Sequence, residues 1–434
     1  MERDLFQILQ ERGFVEWCSD PDELSRVFRT RLTSGYIGFD PTADSLHVGH
    51  LVPIMGLAWL QRAGHRPIAV AGGGTGLIGD PSGKTKERQL LTLEQVERNM
   101  DSIKKQIEHF LDFDCGASSA KIINNYTWLS KLGLLEFLRD IGKHFTVNFM
   151  IARDYVKSRI EDPDKSITYT EFSYILLQAY DFCHLYQNEN CALQMGGNDQ
   201  QVNIIAGIDL IRKKLGAKAY GLTYPLLLTA SGQKFGKTEE GTVWLSPTRT
   251  TPYKFYQFWI NADDRDVSKF LKLFTFLPLG EIEGIMNEHN KCPELRLAQK
   301  KLAYEVTRVV HGDEIVKRVK KVSEILFGES YTLDDLTLEL LEEIGREVPS
   351  GYITGIPAPL IDVMVKVGVC SSKSEARRLI RSGGVAINGE KVVDENYEVH
   401  NNEFLYGKYM LLKLGKKRYH FILFFLQISA TPRP

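Results

Sequence analysis

The chain has 434 residues, 43% hydrophobic and 25% charged, with 54 Lys and Arg against 55 Asp and Glu for a formal net charge of -1. This length buries a sizeable core and predicts roughly two to four domains, while the near-neutral balance excludes a protein that coats nucleic acid over its whole surface and leaves room for local basic patches. Six scattered cysteines, with no C-x-x-C and no partner at metal spacing, exclude a disulfide framework, give no metal site and predict reduced thiols in the cytoplasm.

The N-terminus, MERDLFQILQERGF, is charged and amphipathic, so no signal peptide is expected, and the most apolar run, Phe421–Ile428, is too short to span a bilayer. Tyr36–Phe39 and Pro67–Ala71 read as short buried strands, each followed by Gly-rich or helix-starting sequence, the alternation of a parallel α/β sheet. Between the first two strands lies Pro41–Pro53, PTADSLHVGHLVP. Thr42, Asp44 or Ser45 is predicted to cap a helix whose first turn offers N–H groups and a positive dipole end to phosphate, with Gly49 letting a nucleotide approach.

Gly74-Thr-Gly76-Leu-Ile-Gly79 matches the dinucleotide-binding G-x-G-x-x-G, but Glu94 and Glu97, at the spacing of its acidic residue, fall in the helical run Thr92–Phe110 rather than at a strand end. Gly79-Asp-Pro-Ser-Gly83-Lys84-Thr85 imitates a phosphate loop with one residue too few between its glycines. Strands follow at Lys121–Asn124 and Cys191–Gly196, the second running through Gly197-Asn198-Asp199-Gln200 into a helix at Val202–Leu215, so that Asp199 sits at the sheet's carboxyl edge, able to accept from ribose hydroxyls. Residues between these strands are largely helical, an insertion at about 125–190 between two halves of a doubly wound sheet. Within it Tyr174, Gln178 and Asp181 occupy one helix face.

Lys234–Thr238, KFGKT, is a basic loop that opposes the His-x-Gly-His segment, and from Pro252 to Phe327 the apolar spacing is helical. Residues 331–350 hold six acids against one Arg, an acidic helical linker, whereas residues 356–420 hold 11 Lys and Arg against 7 Asp and Glu. In that basic part Ser372-Lys-Ser-Glu375 is a capping box opening a helix with Lys373, Arg377, Arg378 and Arg381, and Val385–Ile387, Asn388-Gly389 and Lys391–Val393 form a hairpin. The expected domains are 1–229, 230–330, a linker 331–355, 356–420 and a tail 421–434 of unassigned role.

HVGH and KFGKT resemble the HIGH and KMSKS motifs of class I aminoacyl-tRNA synthetases, and their surroundings resemble bacterial tyrosyl enzymes over nearly the whole chain. The resemblance implies a Rossmann-like catalytic domain, a helical domain and a small α+β RNA-binding module, in a homodimer joined through the catalytic domains. It implies that Thr42 and His47 bind pyrophosphate, that His50 meets the ribose region, that Gly38 and Asp40 line the same cleft, and that Lys234, Lys237 and Thr238 close on the ATP phosphates with Mg²⁺. Lys84 and Arg88 would meet pyrophosphate in the transition state, Gly197 and Asp199 the ribose, Gln200 the substrate carboxylate, and Asp80, Tyr174 and Gln178 its ammonium. Tyr36 and Asp181 would hydrogen-bond the tyrosine phenol, and the basic helix would hold tRNA(Tyr). Gln201 and Val202 depart from the family's usual Trp and Gly, which touches local packing more than chemistry. A tryptophanyl enzyme, a catalytically silent RNA-binding paralogue and a nicotinamide-dependent oxidoreductase are the competing readings.

Overall fold

The computed structural model describes residues 4–81, 91–162, 166–238, 241–327, 331–415 and 418–425. They form two compact units, Met1–Val310 and His311–Pro434.

The first unit is built on six strands, β1 (Trp17–Cys18), β2 (Ser34–Phe39), β3 (Arg66–Ala71), β4 (Lys121–Asn124), β5 (Cys191–Gly197) and β6 (Tyr220–Tyr224), in the order β1-β6-β5-β2-β3-β4. All neighbours run parallel except β1, which pairs antiparallel with β6 at the edge. The chain leaves β2 toward β3 and β4 on one side and resumes with β5 and β6 on the other, so the order reverses between β2 and β5. That reversal opens a crevice at the strands' carboxyl ends. Most of β2, β3 and β5 is buried, as expected of strands covered on both faces.

The helix Leu51–Arg62 buries eight of its residues and is apolar nearly all round, which suits its place against the sheet. The helix Tyr169–Glu189 starts on a capping box, Thr168 with Glu171, and stops at Asn190 in the left-handed region, φ 51°. Its start is held by a buried ion pair, Arg159 Nη1 to Glu171 Oε1 at 2.7 Å. Beyond β6, two-residue strands β7 (Lys237–Thr238) and β8 (Gly241–Thr242) pair antiparallel, and the helices Pro252–Ile260, Asp264–Phe274, Leu279–His289 and Leu297–His311 follow.

The second unit begins with the helices Asp313–Leu326 and Leu338–Glu347. Strands β9 (Ser350–Ile353), β10 (Ala358–Pro359), β11 (Val385–Ile387), β12 (Glu390–Val392), β13 (Glu398–Val399), β14 (Tyr409–Leu414) and β15 (Arg418–Phe424) follow, with β12-β11-β14-β15-β9 forming its main sheet. The expected hairpin turn is present, Asn388 and Gly389 both having positive φ, 49° and 96°.

Three sequence expectations shift here. The helix Asp313–Leu326 groups with the C-terminal unit, anchored by Tyr419 Oη donating to the Ile325 carbonyl at 2.7 Å, although its apolar stripe continues the preceding helical pattern. The sheet takes in Ser350–Ile353 and Phe421–Phe424, outside the 356–420 limits read from charge, because the apolar run in β15 is buried from both sides. Finally, Ser372 caps its helix by accepting from the Glu375 N–H, but the Glu375 carboxylate returns to Ser371, through its N–H at 2.8 Å and its hydroxyl at 2.7 Å, so the box is displaced by one residue.

Candidate active site

A cavity of about 570 Å³ opens in the crevice at the carboxyl ends of the strands. Its lining brings together residues that lie far apart in sequence: Tyr36, Gly38, Asp40, Thr42, His47, Gly49, His50, Asp80, Tyr174, Gln178, Asp181, Gly197, Asp199, Gln200 and Lys234. Lys84 and Arg88 lie outside the described residues. Lys237 and Thr238 are described as backbone in β7, and their side chains lie outside what is described.

One part of the cavity is built to meet a buried polar group. Asp181 is 3% exposed and accepts two hydrogen bonds, from Trp128 Nε1 at 2.7 Å and Asn125 Nδ2 at 2.9 Å. Burial pushes its carboxyl up to about 7, the two donors pull it down, and the charge of Asp40 adds to the rise. The hydroxyl of Tyr36, 2% exposed, has no hydrogen-bond partner among the described residues. Burial and the nearby Asp181 hold it well above the ordinary tyrosine range, so it stays protonated and able to donate. Asn125 and Trp128 were not singled out from sequence; their signal was the position of Asn125 immediately after β4, at a strand's carboxyl end.

Next to this pair runs a polar chain. Asn203 Nδ2 donates to Gln178 Oε1 at 3.0 Å, Gln178 Nε2 to Gln200 Oε1 at 3.2 Å, and Gln200 Nε2 to Asp80 Oδ2 at 2.7 Å. The chain aligns an amide row ending in a carboxylate, a surface for an ammonium and a carboxylate group.

The histidines define the other part. None of Thr42, Asp44 or Ser45 caps the turn Val48–His50: His47 does, its Nδ1 accepting the Gly49 N–H at 3.0 Å, while the His47 N–H donates to His50 Nδ1 at 3.2 Å. The expected caps are diverted, Asp44 to an ion pair with Arg249 and Ser45 Oγ to the Leu46 carbonyl and the Ser246 N–H. Because each Nδ1 accepts from backbone, each ring carries its proton on Nε2, from which it can donate. Desolvation, His47 and Lys234 push His50 down to about 3, so this ring is neutral across the physiological range.

The glycine run that imitates a dinucleotide motif is explained by packing. A Cβ on Gly74 would lie 2.8 Å from Leu129 Cδ1, and one on Gly76 would lie 3.1 Å from Pro41 Cδ. The run lets β3's end approach the segment that carries Asn125, whose Oδ1 accepts the Gly74 N–H at 2.7 Å.

Comparison with known proteins agrees with this geometry. The family described as tRNA synthetases class I (W and Y) matches residues 29–328, and a tyrosine–tRNA ligase C-terminal domain family matches residues 340–422. The chain is 51% identical to a tyrosine–tRNA ligase of Anaeromyxobacter dehalogenans over 96% of its length and 98% of that protein's. It is 49% identical to that of Geobacillus stearothermophilus, over 96% and 99%. A solved C-terminally truncated mitochondrial tyrosyl-tRNA synthetase of Aspergillus nidulans superposes with a TM-score of 0.69 at 34% identity, covering 75% of this chain and 95% of its own. The first family spans tryptophan and tyrosine enzymes alike, and the near-full-length identities together with the C-terminal match choose between them: the chain belongs to the tyrosine–tRNA ligase family of class I aminoacyl-tRNA synthetases.

Proposed function

We propose that the cavity activates L-tyrosine with ATP and that the chain then transfers the tyrosyl group to tRNA(Tyr). The tyrosine carboxylate is already a nucleophile, so one of its oxygens attacks the α-phosphorus and pyrophosphate leaves with the electron pair of the broken P–O bond. No general base is needed, and positioning with charge stabilisation carries the step. A hydroxyl of the tRNA's terminal adenosine then attacks the activated carbonyl, AMP leaving.

The observation that carries this reading is the pairing of a partnerless buried Tyr36 hydroxyl with the doubly anchored Asp181 in one cavity. A substrate phenol completes both groups, donating to Asp181 and accepting from Tyr36, whereas phenylalanine leaves the Tyr36 hydroxyl unpaired and sets an apolar ring edge against the Asp181 carboxylate. Tyrosyl-tRNA synthetases are known for this effect, with discrimination of roughly 10⁵ against phenylalanine. In this reading Asp80, Tyr174 and Gln178 hold the ammonium and Gln200 the carboxylate. Gly197 and Asp199 meet the ribose, with His50 alongside. Thr42 and the Nε2–H of His47 donate to the departing pyrophosphate between Gly38 and Asp40, opposed by Lys234, Lys237 and Thr238, and Lys84 and Arg88 join in the transition state. Mg²⁺ arrives with ATP as part of the substrate.

The exposed cations Arg377 and Arg378 are assigned to the tRNA backbone. Lys373 and Arg381 share that helix and pair on the surface with Asp362 and Glu395, contacts weak enough for phosphate to replace. A homodimer joined through the insertion is supported by its apolar surface, where Leu134, Leu135 and Val147 are 71%, 81% and 59% exposed. Sedimentation should report a dimer, and Leu135→Glu a monomer. The same reading assigns the chain to the cytoplasm, the compartment of its tRNA substrate and of unpaired cysteines. Among the described residues no helix is long and apolar enough to cross a membrane.

Tyrosine-dependent ATP–pyrophosphate exchange tests the assignment. Exchange driven by tryptophan instead would overturn it.

A further inference from the structure

The backbone before KFGKT is a hairpin. Leu228 bridges Lys234, the Phe235 N–H donates to the Leu227 carbonyl at 3.1 Å, and the tip Thr229–Gln233 closes by its own hydrogen bonds with Gly232 at φ 80°. Alternation along an extended stem sends consecutive side chains to opposite sides. Lys234 lines the cavity, while Phe235, 4% exposed and reaching the same lining, packs its ring into the aromatic core of the helical segment, 4.9 Å from Phe270, 5.3 Å from Phe274 and 5.7 Å from Trp259.

The tip is held from the same segment. Asp266, on the first turn of the helix Asp264–Phe274 and 4% exposed, accepts the Ala230 N–H at 2.7 Å. Lys269, one turn on, pairs with Asp266 at 3.2 Å and donates to the Leu228 carbonyl at 3.2 Å. Immediately after Phe235, Gly236 at φ 86° lies so close to the histidine segment that a Cβ there would meet Val48 Cγ2 at 2.7 Å. Lys234 is thus suspended between the histidines on one side and the helical segment on the other.

We propose that Asp266 and Phe235 are positioning residues for nucleotide activation, through which the helical segment fixes where Lys234 meets the ATP phosphates. The inference rests on the tyrosyl-activation reading. A stem whose tip is released keeps its charge but loses its placement, and a misplacement of about 1 Å can cost on the order of 10²-fold in rate.

The experiment is steady-state exchange on the full chain, with tyrosine affinity measured separately by equilibrium dialysis and folding by thermal melting. Asp266→Ala should lower kcat roughly 10-fold with the tyrosine dissociation constant within about two-fold of the unmodified chain. Asp266→Asn, which keeps an oxygen acceptor for the Ala230 N–H, should recover most of the rate. In a Lys234→Ala background, Asp266→Ala should add little further loss, because both changes remove the same interaction. A purely structural Asp266 predicts instead that the two losses add, that the rate follows the folded fraction, or that tyrosine affinity falls equally; any of these, or an unchanged kcat, overturns the inference. If the unmodified chain itself shows no tyrosine-dependent exchange, the proposed function fails, and the inference with it. Normal exchange in both forms sinks this inference alone.

Discussion

The hydroxyl of Tyr36 is enclosed without a hydrogen-bond partner among the described residues, so it destabilises the ligand-free protein and becomes favourable when a phenol arrives. Tyr36→Phe should therefore melt at the same temperature or slightly higher, while kcat/KM for tyrosine falls by about 3- to 10-fold, the worth of one neutral hydrogen bond. Discrimination against phenylalanine should fall with it; calorimetry and exchange with each amino acid check both halves. His50 gives a pH signature. Its folded value is depressed from 6.5 to about 3, so between those limits the unfolded chain binds more protons than the folded one. Stability from this group is fully present above pH 6.5 and is lost as pH falls toward 3. Asp181, raised from 3.8 to about 7, acts in the opposite sense, losing stability as pH rises through that window. Comparing His50→Gln with the unmodified chain cancels the Asp181 contribution: by urea unfolding the variant should gain on the unmodified chain by about 2 kcal/mol between pH 7 and pH 4.5. A difference independent of pH would show that His50 titrates normally.

At the level of elements, the helix Leu93–Ile107 braces the segment that carries the histidines. Gln106 Oε1 accepts the Leu46 N–H at 2.8 Å, its Nε2 donates to Ser45 Oγ at 3.0 Å, and Asn99 Nδ2 donates to the Pro41 carbonyl at 2.8 Å. Gln106→Ala removes partners from partly buried groups and should cost about 1–3 kcal/mol of stability. It should also lower kcat for exchange while leaving tyrosine affinity unchanged, since the polar row from Asn203 to Asp80 is untouched; single-turnover rates and dialysis separate the two effects. The strands β2 to β5, the helical face carrying Tyr174, Gln178 and Asp181 and the C-terminal hairpin were legible because each is written in local pattern: apolar runs bounded by turn residues, side chains at helical spacing, an Asn-Gly turn. The cap on the histidine turn was not. Sequence favours Thr42, Asp44 or Ser45 by residue type, but Arg249 and Ser246, some two hundred residues later, engage two of these and leave the task to the ring of His47.

For the whole molecule, the two compact units imply separable tasks, since every residue assigned to adenylate formation precedes Val310. A chain ending after Val310, which keeps the unit intact and omits the helix Asp313–Leu326, should retain tyrosine-dependent exchange and charge tRNA poorly. In the full chain, Arg377→Ala with Arg378→Ala should weaken tRNA binding and flatten the dependence of log K on log salt by about two units, one for each phosphate left without its arginine. An unchanged slope would move the tRNA-binding surface elsewhere. The sequence by itself determined β2 to β5, the C-terminal hairpin, the order of the motifs and the residue types of the cavity, because periodicity, turn chemistry and motif spacing are properties of neighbouring residues, and the resemblance of those motifs pointed to the family. Only the tertiary structure decided that Asn125 and Trp128 hold Asp181, that the Nδ1 atoms of both histidines accept backbone N–H groups and leave the ring proton on Nε2, that the glycine run serves packing, and that Phe235 and Asp266 tie the basic loop to the helical segment. Those features depend on groups brought together from distant parts of the chain, and burial, tautomer and hydrogen-bond partner exist only once the chain has closed around them.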